Sequence, residues 1–335
     1  MADSGLVRFK KICKLPASGN ADRLPRLRIL ERVLRLGISS FIFLDEEIGL
    51  AVRKGEIWRV NVRTGEVVLE MRIPGGKAVL ALSTVTDHRR KTSTVMFGEY
   101  FENTQLDEVN LWGRPAEGIG EWNIIGTFPR NTINHVHSIV PAPERNGALV
   151  LTGDFDQAAG IWFYSPESGA LTPVLVGSQA YRAAWLRKQG DDYVFATDSQ
   201  LSQNYVSKLR FSANAANVEV LKGIEGSSIY VGMGEDITYF SSTVEPGAPT
   251  KNTVIDYLSN RPGPGILSTN AHIYAMTNTD DVESIFHAKA DMLPLRLAQF
   301  GTFIFPSGLL PDGVCYAYGQ ALRKYDDCCM MFRRF

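Results

Sequence analysis

Short runs rich in Val, Ile, Phe, Tyr and Trp recur along the chain, nearly all bounded by Gly, Pro, Asn or Asp. This pattern reads as strands and turns, and few stretches carry a helical period. The runs fall into groups of four. The first spans 41–44, 49–53, 57–62 and 67–73, with Thr64-Gly65 as a hairpin turn. The second spans 79–85, 93–100, 109–112 and 122–128; the third 136–141, 148–154, 161–164 and 171–176; the fourth 182–187, 193–198, 205–211 and 218–221. A fifth begins at 228–231 and 237–244 and runs through a less regular region to about 298. The last begins at 303–305 and 314–318 and ends near Phe332.

Four-stranded units at roughly 45–55-residue spacing are the signature of propeller blades. The expectation is an all-β chain, one β-propeller domain over 1–335 with about six four-stranded blades; five or seven also fit. The last group is one strand short. Residues 6–13 would supply that strand and close the ring, removing an exposed sheet edge and bringing Cys13 near Cys328. Residues 21–36 read as a short amphipathic helix or a basic lead-in, and 247–282, with Pro-Gly-Ala-Pro and Arg-Pro-Gly-Pro-Gly, as a loop-rich insertion. The five tryptophans, at 58, 112, 122, 162 and 185, would pack between blades.

A net charge of −1 leaves no global basic field, so no nucleic-acid partner is expected. The basic run at 88–91 reads as a solvated loop. The N-terminus has no apolar stretch behind a positive start, and the longest apolar run, 38–44, is too short to cross a bilayer. The expectation is a cytoplasmic protein without a transmembrane segment. Cys13, Cys315, Cys328 and Cys329 form no Cys-x-x-Cys pair, which argues for reduced thiols rather than a zinc knuckle.

In a blade the first strand starts, and the second ends, at the funnel mouth. Second strands here end in Gly98-Glu99, Gly153-Asp154, Thr197-Asp198 and Val244-Glu245, so the acidic groups are 55, 44 and 47 residues apart. The plainer reading is an acid accepting hydrogen bonds in a turn. Four like charges round one funnel, however, cost electrostatic energy without a partner. First strands begin with His135-Val-His137 and Tyr181-Arg182. Two residues apart on a strand, His135 and His137 share a face, a spacing that suits two metal ligands or a base and a substrate contact. Asp154 and Asp156 have the same spacing. His135, His137, Asp154 and Asp156 are thus candidate ligands of a divalent cation, although no cofactor is required. Arg182 is the candidate anchor for a substrate carboxylate, or else an internal partner of Asp154 or Asp198. Tyr100, Tyr181 and Tyr230 sit at similar strand ends, where they would stack on sugars or move protons.

In order along about 94–327, these residues resemble a family of sialidase-like propellers with BNR-type repeats. The stretches are His135-Val-His137-Ser-Ile, Leu-Thr-Gly-Asp154, Gly177-Ser-Gln179-Ala-Tyr-Arg182, Ala-Thr-Asp198-Ser and Ser-Thr-Val-Glu245-Pro. The C-terminal Phe-Gly-Thr-Phe-Ile-Phe-Pro-Ser-Gly and Ala-Leu-Arg-Lys-Tyr-Asp follow the same pattern. The resemblance implies a propeller that handles glycans in bacterial polysaccharide or surface-glycan synthesis, and it supplies no reaction. The nearest stretch to an Asp box, Ser165-Pro-Glu167-Ser-Gly169, lacks its Asp and Trp. Met71-Arg72-Ile73-Pro74 is similar to the sialidase Arg-Ile-Pro motif but lies late in the first group, and three matching arginines are not evident. Classical sialidase activity is therefore not implied.

The expected function is a carbohydrate-active enzyme, a glycoside hydrolase or polysaccharide lyase, acting on an acidic poly- or oligosaccharide. Its catalytic candidates are Glu99, His135, His137, Asp154, Asp198 and Tyr181. Its substrate contacts are Arg182, Gln179, Tyr100, Tyr230 and Glu245. In hydrolysis two of the carboxylates act as acid and as base or nucleophile. In elimination Arg182 or a cation neutralises a uronate carboxylate while His135, His137 or Tyr181 takes the proton. The alternative is a non-catalytic propeller that binds glycan or joins polysaccharide-assembly proteins.

Overall fold

The computed structural model describes residues 11–17, 27–155, 157–212, 215–248, 250, 253–311 and 313–333. Its strands form six antiparallel sheets, each a meander in chain order, arranged as a β-propeller. Blade 1 holds β1 (Ser40–Phe43), β2 (Ile48–Arg53), β3 (Glu56–Asn61) and β4 (Val67–Arg72). Blade 2 holds β5 (Ser83–Asp87), β6 (Thr92–Gly98), β7 (Val109–Pro115) and β8 (Asn123–Phe128). Blade 3 holds β9 (His135–Ala142), β10 (Gly147–Gly153), β11 (Gly160–Tyr164) and β12 (Leu171–Val176). Blade 4 holds β13 (Arg187–Gln189), β14 (Asp192–Ala196), β15 (Asn204–Phe211) and β16 (Ala216–Ile224). Blade 5 holds β17 (Val231–Met233), β18 (Ile237–Ser241), β19 (Asn270–Thr277) and β20 (Val282–Lys289). Blade 6 has three strands among the described residues, β21 (Thr302–Ile304), β22 (Val314–Gln320) and β23 (Cys328–Arg333).

Burial explains the strand sequences. Sheets that pack face to face bury both faces of their second strands, so these read as near-continuous apolar runs. Gly147–Gly153 is buried at every position, while the outer strand Ala216–Ile224 is largely exposed. Apolar clusters join neighbouring blades. One runs through Leu149, Trp185, Phe195 and Phe240, another through Met96, Phe128, Ile139 and Val150. Trp112 and Trp122 pack against the cluster between blades 1 and 2, Trp162 against that between blades 2 and 3, and Trp58 against Ala51 and Val60.

Helix α1 (Arg28–Val33) is held on the blade 6 side by polar contacts, with Arg28 bidentate on Asp326 at 2.9 Å and buried Arg32 bonded to Asp291 at 2.5 Å and to the Ala298 carbonyl at 2.7 Å. Residues 6–10 of the expected closing strand lie outside the described residues. Residues 11–17 form no strand; Cys13 and Leu15 pack on blade 1, and all four cysteines are free thiols.

The loop-rich insertion is shorter than the sequence suggests. Within 247–282, residues Asn270–Thr277 are the third strand of blade 5, preceded by the short helix α2 (Thr253–Leu258). The proline-rich flanks hide a strand whose inward positions, Ala271 and Ile273 and then Tyr274 and Met276, change phase at a register shift between Ile273 and Tyr274. The inner strands of blades 2, 4 and 5 also begin later than expected, because their lead-ins cross the mouth as single bridges. These are Ala78 with Tyr100, Ala183 with Thr197 and Ser227 with Thr243. In blade 3 the ladder reaches the mouth past a register shift at His137, and Gly153 pairs with His135 directly. Blades are stitched at the same level: Val136 N–H donates to the Glu99 carbonyl at 3.1 Å and Ser228 N–H to the Thr197 carbonyl at 3.0 Å.

A titratable cluster at the axial mouth

That stitching places second-strand ends of one blade beside first-strand starts of the next. Around this junction His135, His137, Asp154, Arg182, Asp198 and Glu245 form one electrostatic cluster, with Tyr100 and Tyr230 beside it. Its side chains are deeply placed: His135 is 2%, Arg182 4%, Asp198 4%, His137 5% and Glu245 9% exposed.

Asp154 is the hub. One carboxylate oxygen lies 3.3 Å from His135 Nε2; the other lies 3.5 Å from His137 Nε2 and 2.9 Å from a terminal Arg182 nitrogen. Gly153 makes this approach feasible: a Cβ there would sit 2.3 Å from His137 Cε1. Each imidazole is anchored from behind. His135 Nδ1 is 3.1 Å from the Phe101 carbonyl, and His137 Nδ1 is 3.1 Å from the Ala183 carbonyl. A carbonyl only accepts, so Nδ1 carries the proton in both rings and both Nε2 atoms face inward. They lie 3.2 Å apart, and the Tyr100 ring covers His135 at 4.1 Å.

Arg182 is held on several sides. It donates to the Asp154 carbonyl at 3.0 Å and to Gln200 Oε1 at 2.8 Å, besides its bond to the Asp154 carboxylate, and Asp198 lies 3.9 Å away. Gln179 donates to the same Asp154 carbonyl at 2.9 Å and accepts from Ser199 Oγ at 2.7 Å. Asp198 Oδ1 and Arg182 Nε are buried without a hydrogen-bond partner in the protein. Such orphaned atoms are uncommon in a folded chain and point to a role in binding.

These contacts pull the acid–base behaviour of the groups apart. Burial alone would push Asp154 up, but the charge of the adjacent Arg182 guanidinium holds it well below the usual carboxylate range. Burial disfavours the imidazolium of His135 and lowers its pKa against the pull of Asp154. For Arg182, burial opposes the charge, yet Asp198, Asp154 and Glu245 outweigh it and raise the pKa. Glu245 goes the other way. Burial first, and then the negative charge of Asp198, push it up to about 8, although Arg182 and the Ser227 hydroxyl at 2.8 Å favour its ionised form. Burial lifts the Tyr230 phenol to about 12 and raises Tyr100 as well, so both stay protonated donors at neutral pH.

Other sequence candidates lie apart. The Glu99 carboxylate turns away from the cluster and is fully partnered: Lys77 Nζ at 2.7 Å, Asn110 N–H at 3.0 Å and Trp112 Nε1 at 3.0 Å. Only its neighbour Tyr100 reaches the histidines. Tyr181 sits half-buried on the turn Gln179–Tyr181. Asp156 lies outside the described residues. Arg72, of the Arg-Ile-Pro motif, ends the outer strand β4 bonded to Glu56 at 3.1 Å, with its side chain mostly in solvent. Sequence reasoning did not single out Gln200, Ser199 or Ser227, polar groups on connecting segments that carry no spacing signal. Lys77 was missed for the same reason.

Fold and cluster together define a six-bladed β-propeller with a buried, mixed-charge site at its axial mouth. No family model and no curated relative matches the chain. Solved structures match it in fold. The extracellular domain of a protein assigned as a one-component system from B. thetaiotaomicron is 12% identical, with a TM-score of 0.51, covering 88% of this chain and 32% of that one. A protein assigned as TolB from Agrobacterium tumefaciens is 13% identical over 73% of this chain and 79% of that one, with a TM-score of 0.45. Hsv2 of Kluyveromyces lactis is 10% identical over 84% of this chain and 71% of that one, with a TM-score of 0.44. At such identities the likeness is one of architecture alone. Among the described residues no helix is long and apolar enough to cross a membrane.

Proposed function

We propose that this propeller is a carbohydrate-active enzyme whose axial mouth cleaves an acidic poly- or oligosaccharide, with hydrolysis favoured over elimination. The observation that carries the reading is the opposed behaviour of two carboxyl groups in one cluster. Glu245 keeps its proton to about pH 8, while Asp154 stays ionised. A neutral carboxylic acid beside ionised ones is what general-acid cleavage of a glycosidic bond needs. In this reading Glu245 protonates the leaving oxygen. Asp198, whose buried Oδ1 has no partner in the protein, serves as base or nucleophile. Tyr100 and Tyr230 donate to sugar hydroxyls. Elimination asks Arg182 to neutralise a uronate carboxylate, but its guanidinium is already bonded to Asp154 and Gln200. A divalent cation on His135, His137 and Asp154 is the means by which a lyase would replace it. Bacterial polysaccharide synthesis and membership of the sialidase-like family are parts of this proposal that rest on the sequence resemblance.

The internal pairing of Arg182 and the depth of the cluster favour a second reading, a propeller that binds glycan or assembly proteins without chemistry. One experiment separates the three. The protein is incubated with a panel of acidic bacterial polysaccharides while reducing ends and the ultraviolet absorbance of unsaturated uronates are followed. New reducing ends without absorbance, lost in Glu245→Gln, support hydrolysis. Absorbance identifies a lyase and overturns the role given to Glu245. Binding without either product leaves the non-catalytic reading.

A further inference from the structure

We propose that His135, His137 and Asp154 form a preorganised site for one first-row divalent cation of zinc size. Their donor atoms lie within 4.8 Å of one another. The match is closer than that outer limit. Two ligands about 2.0–2.1 Å from a tetrahedral ion are about 3.3 Å apart. Here Nε2 to Nε2 is 3.2 Å, His135 Nε2 to one Asp154 oxygen 3.3 Å, and His137 Nε2 to the other oxygen 3.5 Å.

The surroundings support the same assignment. Both Nδ1–H groups are committed to the carbonyls of Phe101 and Ala183, which fixes the tautomer that presents Nε2 to an ion. This is the outer contact that metal-bound histidines ordinarily make. Two unprotonated Nε2 atoms and a carboxylate face one another, and the donor beside them is Arg182, on the Asp154 oxygen nearer His137. A hydrogen bond between the rings would require one of the two buried imidazoles to carry a full charge. A divalent cation satisfies all three at once. Arg182 bonds the Asp154 oxygen nearer His137 and so orients the carboxylate, which leaves the other oxygen, 3.3 Å from His135 Nε2, for the ion. Gly153 belongs to the same design, since any side chain there would displace the His137 ring. Three protein ligands leave a fourth position open, as in ions that bind a water or a substrate oxygen.

The inference concerns the mouth discussed above but does not depend on glycan cleavage, because ion binding is read directly. Full-length protein treated with chelator is titrated with Co²⁺ alone and followed by visible absorbance. One equivalent should bind with the intense bands of a tetrahedral site and be displaced by Zn²⁺. His137→Ala and Asp154→Asn should each weaken binding at least about 100-fold. Should those variants not fold, the imidazole nitrogen spectrum of the wild type decides. On adding Zn²⁺, the Nε2 signals of two histidines should move while their Nδ1–H signals persist. A wild type that takes up no Co²⁺, or Nε2 signals that ignore Zn²⁺, overturns the proposal. A protein that binds the ion yet cleaves no glycan would remove the catalytic reading and leave this one standing.

Discussion

Glu99 in blade 2 and Glu245 in blade 5 both follow a second strand, Glu99 directly after Gly98 and Glu245 four residues beyond Ser241, and both are buried. Their surroundings differ completely. Glu99 meets an ammonium at 2.7 Å, a backbone N–H and an indole N–H, so both oxygens of its buried carboxyl group have donors. Glu245 meets one serine hydroxyl and the negative field of Asp198. The first arrangement spends its acid on architecture. The second leaves a buried acid carrying its proton, which is costly for stability and useful for chemistry. A place after a second strand does not by itself set the role of an acid; its neighbours decide whether it serves architecture or chemistry.

The strongest test of the comparison exchanges each acid for its neutral isostere or truncates it. Glu245→Gln should lower the release of reducing ends about 10²–10⁴-fold, the usual range for a lost general acid, with a urea midpoint at neutral pH that holds or rises, because glutamine needs no proton to be buried neutral. Glu99→Ala should do the reverse: about 3 kcal/mol of stability is lost in urea unfolding, because Lys77, Asn110 and Trp112 lose their common acceptor. If the two variants behaved alike, the distinction between structural and chemical acid would fail. A smaller effect is expected at Gly153. Gly153→Ala drives a Cβ into the His137 ring and should cost about 1–3 kcal/mol by the same measurement, with changed imidazole signals.

The last effect is read from the pH profile. Between the ordinary carboxyl value of 4.5 and the folded value of about 8, Glu245 binds its proton in the native state and not in the unfolded chain. The native state thus holds more protons there, and stability must fall as pH rises through that window, by on the order of 1 kcal/mol per unit. Glu245→Gln should flatten this slope, which unfolding curves at several pH values would reveal.

Much of the architecture was legible because strand periodicity and turn residues are local signals. The misreadings have local causes too. Residues 270–277 were absorbed into an insertion because prolines before them mask a strand. The starts of β5, β13 and β17 were placed early because a single bridge across the mouth, as at Ala183 and Thr197, looks like strand in sequence. The His135 and His137 pairing was readable from a spacing of two. The different fates of Glu99 and Glu245 were not. Lys77 lies 22 residues before Glu99 on a connecting segment, and nothing in its neighbourhood marks it as the partner. Likewise Ser227 and Gln200 act through the closure of the ring, which no local pattern encodes.

The most direct measurement is infrared difference spectroscopy of wild-type protein against Glu245→Gln across pH 5 to 10. The carbonyl stretch of a protonated carboxylic acid should be present in the wild type at pH 7, vanish with a midpoint near 8, and be absent from the variant. A wild type lacking that band at pH 7, with Glu245 titrating in the ordinary carboxylate range, would contradict the account.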